Sequence, residues 1–341
     1  MRRMKRRLAL LLLLAALLAC VPVSAAGGSY TDVPKTHWAY SSIRSATQRG
    51  LLQGVGGNKF GLKQEMSRAA YAAALCRLMG WQTVAPAEGS FSDNQDAQKW
   101  YYSAIETAYA NGVLTKQSAF CRPTDAISRE EMAVMTVRAL GYTALSGLVQ
   151  EGCPFSDVST NRGYVTLAYQ MGLVTGIDAF SFAPQRKLTR EEAAVVLMRV
   201  YERKSAAIGQ LFTEAPASAV RVESMTGTSG SVPLSPRAPL EAVYAAAVGA
   251  NGGAVVLHAT PLRQTVHNGK ADAGEEIPKT EVVELIEKGA QVYRSARYQS
   301  SYLLYKDGGK TKVVWYESDA DLAEKVMLCR LLGVKTVYIE K

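Results

Sequence analysis

Arg68, Arg129 and Arg190 recur at one interval, 61 residues from each to the next (68 to 129, 129 to 190). Each follows a hydroxyl residue: Ser67, Ser128 and Thr189. An acid stands three positions after two of those hydroxyls, Glu131 and Glu192, whereas the first copy has Ala70. That spacing is a capping box, in which the hydroxyl takes a backbone N–H of the first helical turn and the carboxylate reaches back to the cap. Acids suit a helix start because aligned peptide dipoles make it partly positive. A guanidinium there does not, unless an anion shares the place. Free N–H groups, the dipole and the guanidinium fork would then converge on one carboxylate. The other reading is an ion pair with the Asp of the same or a neighbouring copy, worth under about 1 kcal/mol at a surface.

The elements that must place these arginines repeat with them. YTDVPKTHWAYSSI (30–43), FSDNQDAQKWYYSAI (91–105) and FSDVSTNRGYVTLAY (155–169) each open on an aromatic, a Ser or Thr, and an Asp: Asp32, Asp93 and Asp157. The hydroxyl–Asp pair reads as a turn and helix cap. A short amphipathic helix follows, closed by Gly50, Gly112 or Gly172, each suited to a left-handed C-cap. Trp38 and Trp100 stand near the first two helix starts, and Gly163-Tyr164 takes that place in the third. A loop carrying Phe60, Phe120 or Phe182 leads to the Arg-bearing helix, which runs to Gly80, Gly141 or about Arg203. Each unit is helix–loop–helix with one apolar stripe, such as Val134, Val137 and Leu140. A two-helix unit cannot bury that stripe alone, so the three are expected to pack together.

These residues resemble the S-layer homology repeat: the aromatic-Ser/Thr-Asp start, the His-Trp or Lys-Trp, the Gly-Leu/Val-Leu/Val turn, and the Thr/Ser-Arg-Glu/Ala-Glu/Ala helix start. The resemblance covers about residues 29–203 and implies three units, at 29–82, 90–143 and 154–203. It implies a mainly α fold, three helix–loop–helix repeats packed as a pseudo-threefold spindle, followed by a small α/β domain. It implies non-covalent anchoring to a secondary cell-wall polysaccharide, a peptidoglycan-linked anionic glycan that often carries pyruvate ketals. Arg68, Arg129 and Arg190 would each cradle a ketal carboxylate in a groove between repeats. Trp38 and Trp100 would offer a flat face to a sugar ring, and Asp32, Asp93 and Asp157 would accept sugar hydroxyls or fix the arginine. The tryptophans could equally be core residues and the aspartates pure caps. Two departures, Ala70 and Gly163-Tyr164, favour the grooves of Arg68 and Arg129 over that of Arg190.

The rest of the chain sets the address. MRRMKRR, a 12-residue apolar run and VPVSAAGG read as a secretory signal peptide at 1–26, too short for a membrane span. Cys20, in LLAC, loosely resembles a lipoprotein signal, although Leu18 fits it poorly. Loss of Arg2, Arg3, Lys5, Arg6 and Arg7 takes the formal charge from +9 to about +4. That balance, with no basic stripe, argues against nucleic acid and suits an anionic envelope polymer. No metal site or cofactor is implied: the cysteines lack zinc spacing and the three histidines are scattered. Cys76 and Cys329 read as buried thiols, and Cys121 and Cys153 lie in loops where pairing outside the cell is open.

Residues 204–240, rich in Ser, Ala, Pro and Gly, read as a linker in which AVRVES is open as a short strand. Residues 241–341 read as alternating strand and helix with a hairpin at Asp307-Gly308-Gly309. VVWYES (313–318), the helix after it and the last strand resemble the end of family 18 glycoside hydrolases. A full barrel takes about 250 residues, far more than follow the repeats, and the family's Asp-x-x-Asp-x-Asp-x-Glu strand is absent. Glu317 and Asp319 read as a solvated loop and helix cap. The region is expected to be a non-catalytic remnant or ligand-binding module resembling a partial barrel, and the protein not an enzyme. The alternatives are a wall-anchored glycosidase acting on peptidoglycan or a chitin-like polymer, and a structural surface-layer subunit.

Overall fold

The computed structural model describes residues 30–204, 220–221, 228–229, 232–233, 239–295 and 298–340. The expected signal peptide with Cys20, and all but a few residues of the expected linker, lie outside the described residues. Helices α1 (Tyr40–Gln48), α2 (Arg68–Met79), α3 (Tyr102–Ala110), α4 (Arg129–Ala139), α5 (Thr143–Val149), α6 (Arg162–Gln170) and α7 (Arg190–Lys204) make up the repeats. These helix ends follow the local chemistry of the sequence, and Glu192 accepts from the Thr189 amide at 3.0 Å as that box requires. Ser67 accepts from the Ala70 amide and Ser128 from the Glu131 amide, and the Ser128–Glu131 box closes in both directions. Gly50, Gly112 and Gly172 sit at φ of 69°, 73° and 61°, left-handed backbone in which a side chain would be strained.

The repeats pack in a cycle. Helix α2 of the first lies on α3 of the second, α4 of the second on α6 of the third, and α7 of the third returns to α1 of the first. Short bridges follow the same circuit: Ser67 with Ala126, Ser128 with Lys187, and Thr189 with Glu65. Small buried residues at the helix contacts, Ala69, Ala72, Ala133, Ala193 and Ala194, let backbones approach closely. Larger ones, such as Ile43, Leu75, Ile105, Met135, Leu167 and Leu197, fill the centre. Each such side chain contributes about 1.5–3 kcal/mol by leaving water.

Helix α5 is the element that repeat logic does not anticipate. It packs against α6. A Cβ placed on Gly163 would lie 1.7 Å from the Ser146 carbonyl oxygen of α5. Matched on the helices, the place of Trp38 and Trp100 falls on Thr160 in the third copy, and Gly163 matches Ser41 and Ser103, which corrects the equivalence expected from sequence.

Beyond the repeats come α8 (Leu240–Gly249), α9 (Lys279–Glu287) and α10 (Asp319–Leu331). Strands β1 (Val220–Arg221), β2 (Ala254–His258) and β7 (Thr336–Glu340) form a parallel sheet in the order β1-β2-β7, with Val337 opposite Val255. Strands β3 (Leu262–His267), β4 (Gln291–Ser295), β5 (Ser300–Asp307) and β6 (Lys310–Tyr316) form an antiparallel sheet in the order β3-β6-β5-β4. The β5–β6 hairpin turns at Gly308 and Gly309, both at positive φ, as the Asp-Gly-Gly signal requires. Among the described residues these strands make two sheets and not a closed barrel.

This region is not held at a distance. Apolar residues of α8, α10, β2 and β7 join the same buried cluster as the repeats. The Tyr142 hydroxyl donates to the Glu324 carbonyl at 3.1 Å, and Arg203 Nη1 donates to the Leu331 carbonyl at 3.0 Å. Among the described residues, no helix is long and apolar enough to cross a membrane.

Candidate functional site

The three aspartates act on loops, not on the helices that follow them. Asp32 accepts from the amides of Phe60, Gly61 and Leu62 at 2.8, 2.8 and 3.2 Å. Asp93 accepts from Cys121 and Arg122 at 2.9 and 2.7 Å, and Asp157 from Phe182 and Ala183, both at 2.8 Å. The first-helix caps, Ala39, Tyr101 and Asn161, make no side-chain cap bond. The capping role read from sequence is thereby corrected: the carboxylates are engaged by the amides of the following loop. Each holds a left-handed residue, Gly61, Arg122 or Ala183, at φ of 89°, 51° and 58°. The last two store strain of about 1–2 kcal/mol each, which the carboxylate bonds must outweigh. Burial alone would raise the Asp32 and Asp93 carboxyls, but those amides hold both below the ordinary carboxylate range.

The arginines use the same loops. Arg68 Nε donates to the Cys121 carbonyl at 2.9 Å, Arg129 Nε to Phe182 at 2.9 Å and Arg190 Nε to Phe60 at 3.0 Å. Every one reaches the loop of the next copy around the cycle. Arg129 and Arg190 also cover the buried rings of Phe182 and Phe60, 4.5 and 4.9 Å from centroid. One further nitrogen of each is engaged: Arg129 Nη2 donates to the Thr175 carbonyl at 2.7 Å, and Arg190 Nη2 to that of Gln53. Burial lowers the guanidinium pKa of both from its ordinary value.

The helix-start amides are likewise occupied. Arg68 and Ala69 donate to Asp125 and Pro123, Arg129 and Glu130 to Arg186 and Pro184, and Arg190 to Gln64. An anion site built on free first-turn amides is therefore corrected: protein carbonyls already fill that role, because each helix start is docked into the next repeat.

Arg68 differs from its two counterparts. Cys121, not Phe120, takes the buried place of Phe60 and Phe182, so Arg68 has no ring beneath it, and Phe120 is 58% exposed. Its Nη1 instead pairs with Glu131 at 2.9 Å, and Arg122 pairs with the same carboxylate oxygen. Burial opposes ionisation of Glu131, but the Ser128 amide, Arg68 and Arg122 outweigh it and lower its pKa. A groove of about 210 Å³ opens here, lined by Arg68, Arg122, Glu131, Gln117, Ser118 and Phe120. Arg138 lines it as well, and Asp125 lies 3.8 Å from Arg122, so three guanidinium groups against two carboxylates leave it net positive, with hydroxyl and amide groups beside it.

Trp38 and Trp100 are each 63% exposed, so neither is a core residue. They do not line the Arg68 groove. Trp100 lines a separate one of about 350 Å³ with Trp81 and Arg77, between α2 and α3. Trp81 was not singled out by the repeat pattern, because its place just after the C-cap Gly80 carries no repeated signal.

Cys121 and Cys153, left open as a pair, are free thiols, as are Cys76 and Cys329. Burial, then Asp93, pushes the Cys121 thiol up to about 12. Glu317 is corrected as well: it is 3% exposed, not solvated, and pairs with Lys325 at 2.5 Å beside Ser300. Asp319 is exposed and pairs with Lys279 at 3.0 Å, while Ser318 and Asp321 form the cap of α10. Among the described residues no cluster of His, Cys, Asp or Glu could hold a metal ion.

Residues 29–72, 90–133 and 154–194 match the S-layer homology domain, so the chain carries three of these domains. An amylopullulanase of Thermoanaerobacterium thermosulfurigenes is 30% identical over 51% of this chain and 10% of its own. An S-layer protein of Bacillus thuringiensis subsp. finitimus is 28% identical over 51% of this chain and 21% of its own. The chain thus spans a tenth to about a fifth of the length of these curated relatives. A solved spore cortex-lytic enzyme of Bacillus cereus overlaps 36% of this chain and 31% of its own, at 14% identity and a TM-score of 0.31. So slight an overlap fixes neither fold nor chemistry.

Proposed function

We propose, taking three S-layer homology domains at the cell surface as the premise, that the chain fastens its protein to the cell wall by binding an anionic, pyruvate-bearing secondary polysaccharide. S-layer homology domains are anchoring modules, and the relatives that share them are named for unrelated roles, a hydrolase and a lattice protein. What such relatives have in common is the anchor. In this reading the repeats form a pseudo-threefold spindle, supported by contacts that return from the third repeat to the first.

The observation that carries the proposal is the groove at Arg68. There the Arg68 guanidinium, held by Nε on the Cys121 carbonyl, turns Nη1 to a carboxylate with no ring beneath it, so an incoming carboxylate can share Arg68 and Arg122 with Glu131. Charge-assisted bonds of this kind are about twice as strong as neutral ones. Arg129 and Arg190, each held by two carbonyls and a buried ring, serve mainly to lock the repeats together.

Titrating the full chain with the purified secondary polysaccharide, native and after mild-acid removal of its ketals, tests this. Native polymer is expected to bind and stripped polymer to lose at least tenfold in affinity. Equal affinity for both would remove the acidic group from the account.

A further inference from the structure

The C-terminal ends of α2, α4 and α7 converge with that of α10 on a cleft of about 480 Å³, between the repeats and the α/β region. Arg138, Arg203, Lys204, Arg294 and Arg330 line it, and Glu324 is its one acidic wall residue. Arg294 is neutralised there, paired with Asp321 at 2.9 Å and Glu324 at 2.6 Å. The other four cations meet no carboxylate within ion-pair distance among the described residues. Arg203 donates to the Leu331 carbonyl, Lys204 Nζ to Met79 at 3.4 Å, and Arg138 to Val113 at 3.4 Å. Arg330 Nε is buried with no hydrogen-bond partner.

Helix C-termini account for part of this gathering, since each carries about half a negative charge. Four such ends offset roughly two of the four cations, and the second carboxylate on Arg294 offsets one more, which leaves the cleft positive by about one charge. Burial pulls the Arg203 and Lys204 pKa values down, for Arg203 helped by Arg199 and opposed by Glu202. Trp81 stands in the wall of this cleft and also in the groove that holds Trp100 and Arg77. The two recesses therefore share an indole.

We propose that this cleft binds an acidic oligosaccharide, its carboxylates on Lys204, Arg203 and Arg330 and a sugar ring against Trp81, with the chain continuing toward Trp100. The cations supply charge-assisted bonds and the indole supplies the apolar ring face, a combination that suits neither a neutral sugar nor a bare inorganic anion. The site shares Arg138 with the Arg68 groove but otherwise has different walls, and it includes α10, outside the three repeats.

Tryptophan fluorescence of the full chain would be followed on titration with oligogalacturonate, with maltotriose, and with inorganic phosphate. Oligogalacturonate is expected to saturate the change and to weaken with added salt. Maltotriose and phosphate are expected to give no saturable change. The Lys204→Gln/Arg330→Gln double variant should lose at least tenfold in affinity while melting at the parent temperature. If that variant melts early, Lys204→Gln alone, at an exposed side chain, carries the test with a loss of at least threefold. A flat titration, saturation by maltotriose or phosphate alone, or an unchanged affinity in the folded variants would overturn the proposal. The probe is soluble, so the result does not depend on which groove holds the wall polymer.

Discussion

At the scale of single residues, the chemistry of this chain is mostly polar clamps that close one repeat on the next. Asp32 and Asp93 titrate below the ordinary carboxylate range in the fold. Their contribution is present above about pH 4, the unfolded value, and is lost as pH falls through the lower folded one. Thermal melts at pH 6 and pH 3 should show a drop in Tm that Asp32→Asn and Asp93→Asn each reduce. An identical drop in both variants would assign the acid sensitivity elsewhere. The buried pair is a second case. Lys325→Met strands the Glu317 charge and should lose about 3–5 kcal/mol by denaturant unfolding, and Lys325→Met/Glu317→Leu should regain most of it. An equal loss in both variants would mean that packing, not charge, holds the site. Sequence showed the arginines and aspartates as special but not their partners, because those partners are mostly backbone carbonyls and amides 25 to 137 residues away in the chain. Nothing in a side-chain pattern records where a distant carbonyl points.

At the scale of elements, local signals were legible where they were local. Ser128 with Glu131, the glycines after α1, α3 and α6, and the Gly308-Gly309 hairpin all act within four residues of themselves. Phe120 misled because repeat alignment follows residue type, whereas the fold follows the Asp93 bonds to Cys121 and Arg122. Helix α5 went unseen because it belongs to no repeat. Its packing gives a sharp expectation. Gly163→Ala must move the Ser146 backbone and should cost about 1–3 kcal/mol by the rule for overpacked sites. Gly147→Ala, on the same helix with open space around it, should be neutral or stabilise by up to about 1 kcal/mol. Equal Tm values for the two variants would show that α5 does not seat against Gly163.

At the scale of the whole molecule, the cycle is the organising fact. Arg190 is 130 residues from the Phe60 carbonyl it holds, so the third repeat stabilises the first. Hydrogen exchange should find the Phe60 and Gly61 amides markedly faster in Arg190→Gln, with the second-repeat amides of Cys121 and Arg122 little changed. Uniform acceleration would indicate general loosening instead of a broken closure. The C-terminal strands and helices were legible, but the seat of α10 on α7 and of α8 on α5 was not, since it depends on apolar faces with no periodic partner in the sequence.

The central claim is that the Arg68 groove, in particular, fastens the protein to the wall. Its most direct test is co-sedimentation of the full chain with cell-wall sacculi, with and without their secondary polysaccharide, for the parent and an Arg122→Gln/Ser118→Ala variant. Arg122 and Ser118 lie at the exposed rim of the groove. The account predicts that the parent pellets only with unstripped sacculi and that the folded variant binds them at least tenfold more weakly. Parent-like pelleting by the variant, or pelleting of the parent with stripped sacculi, would contradict it.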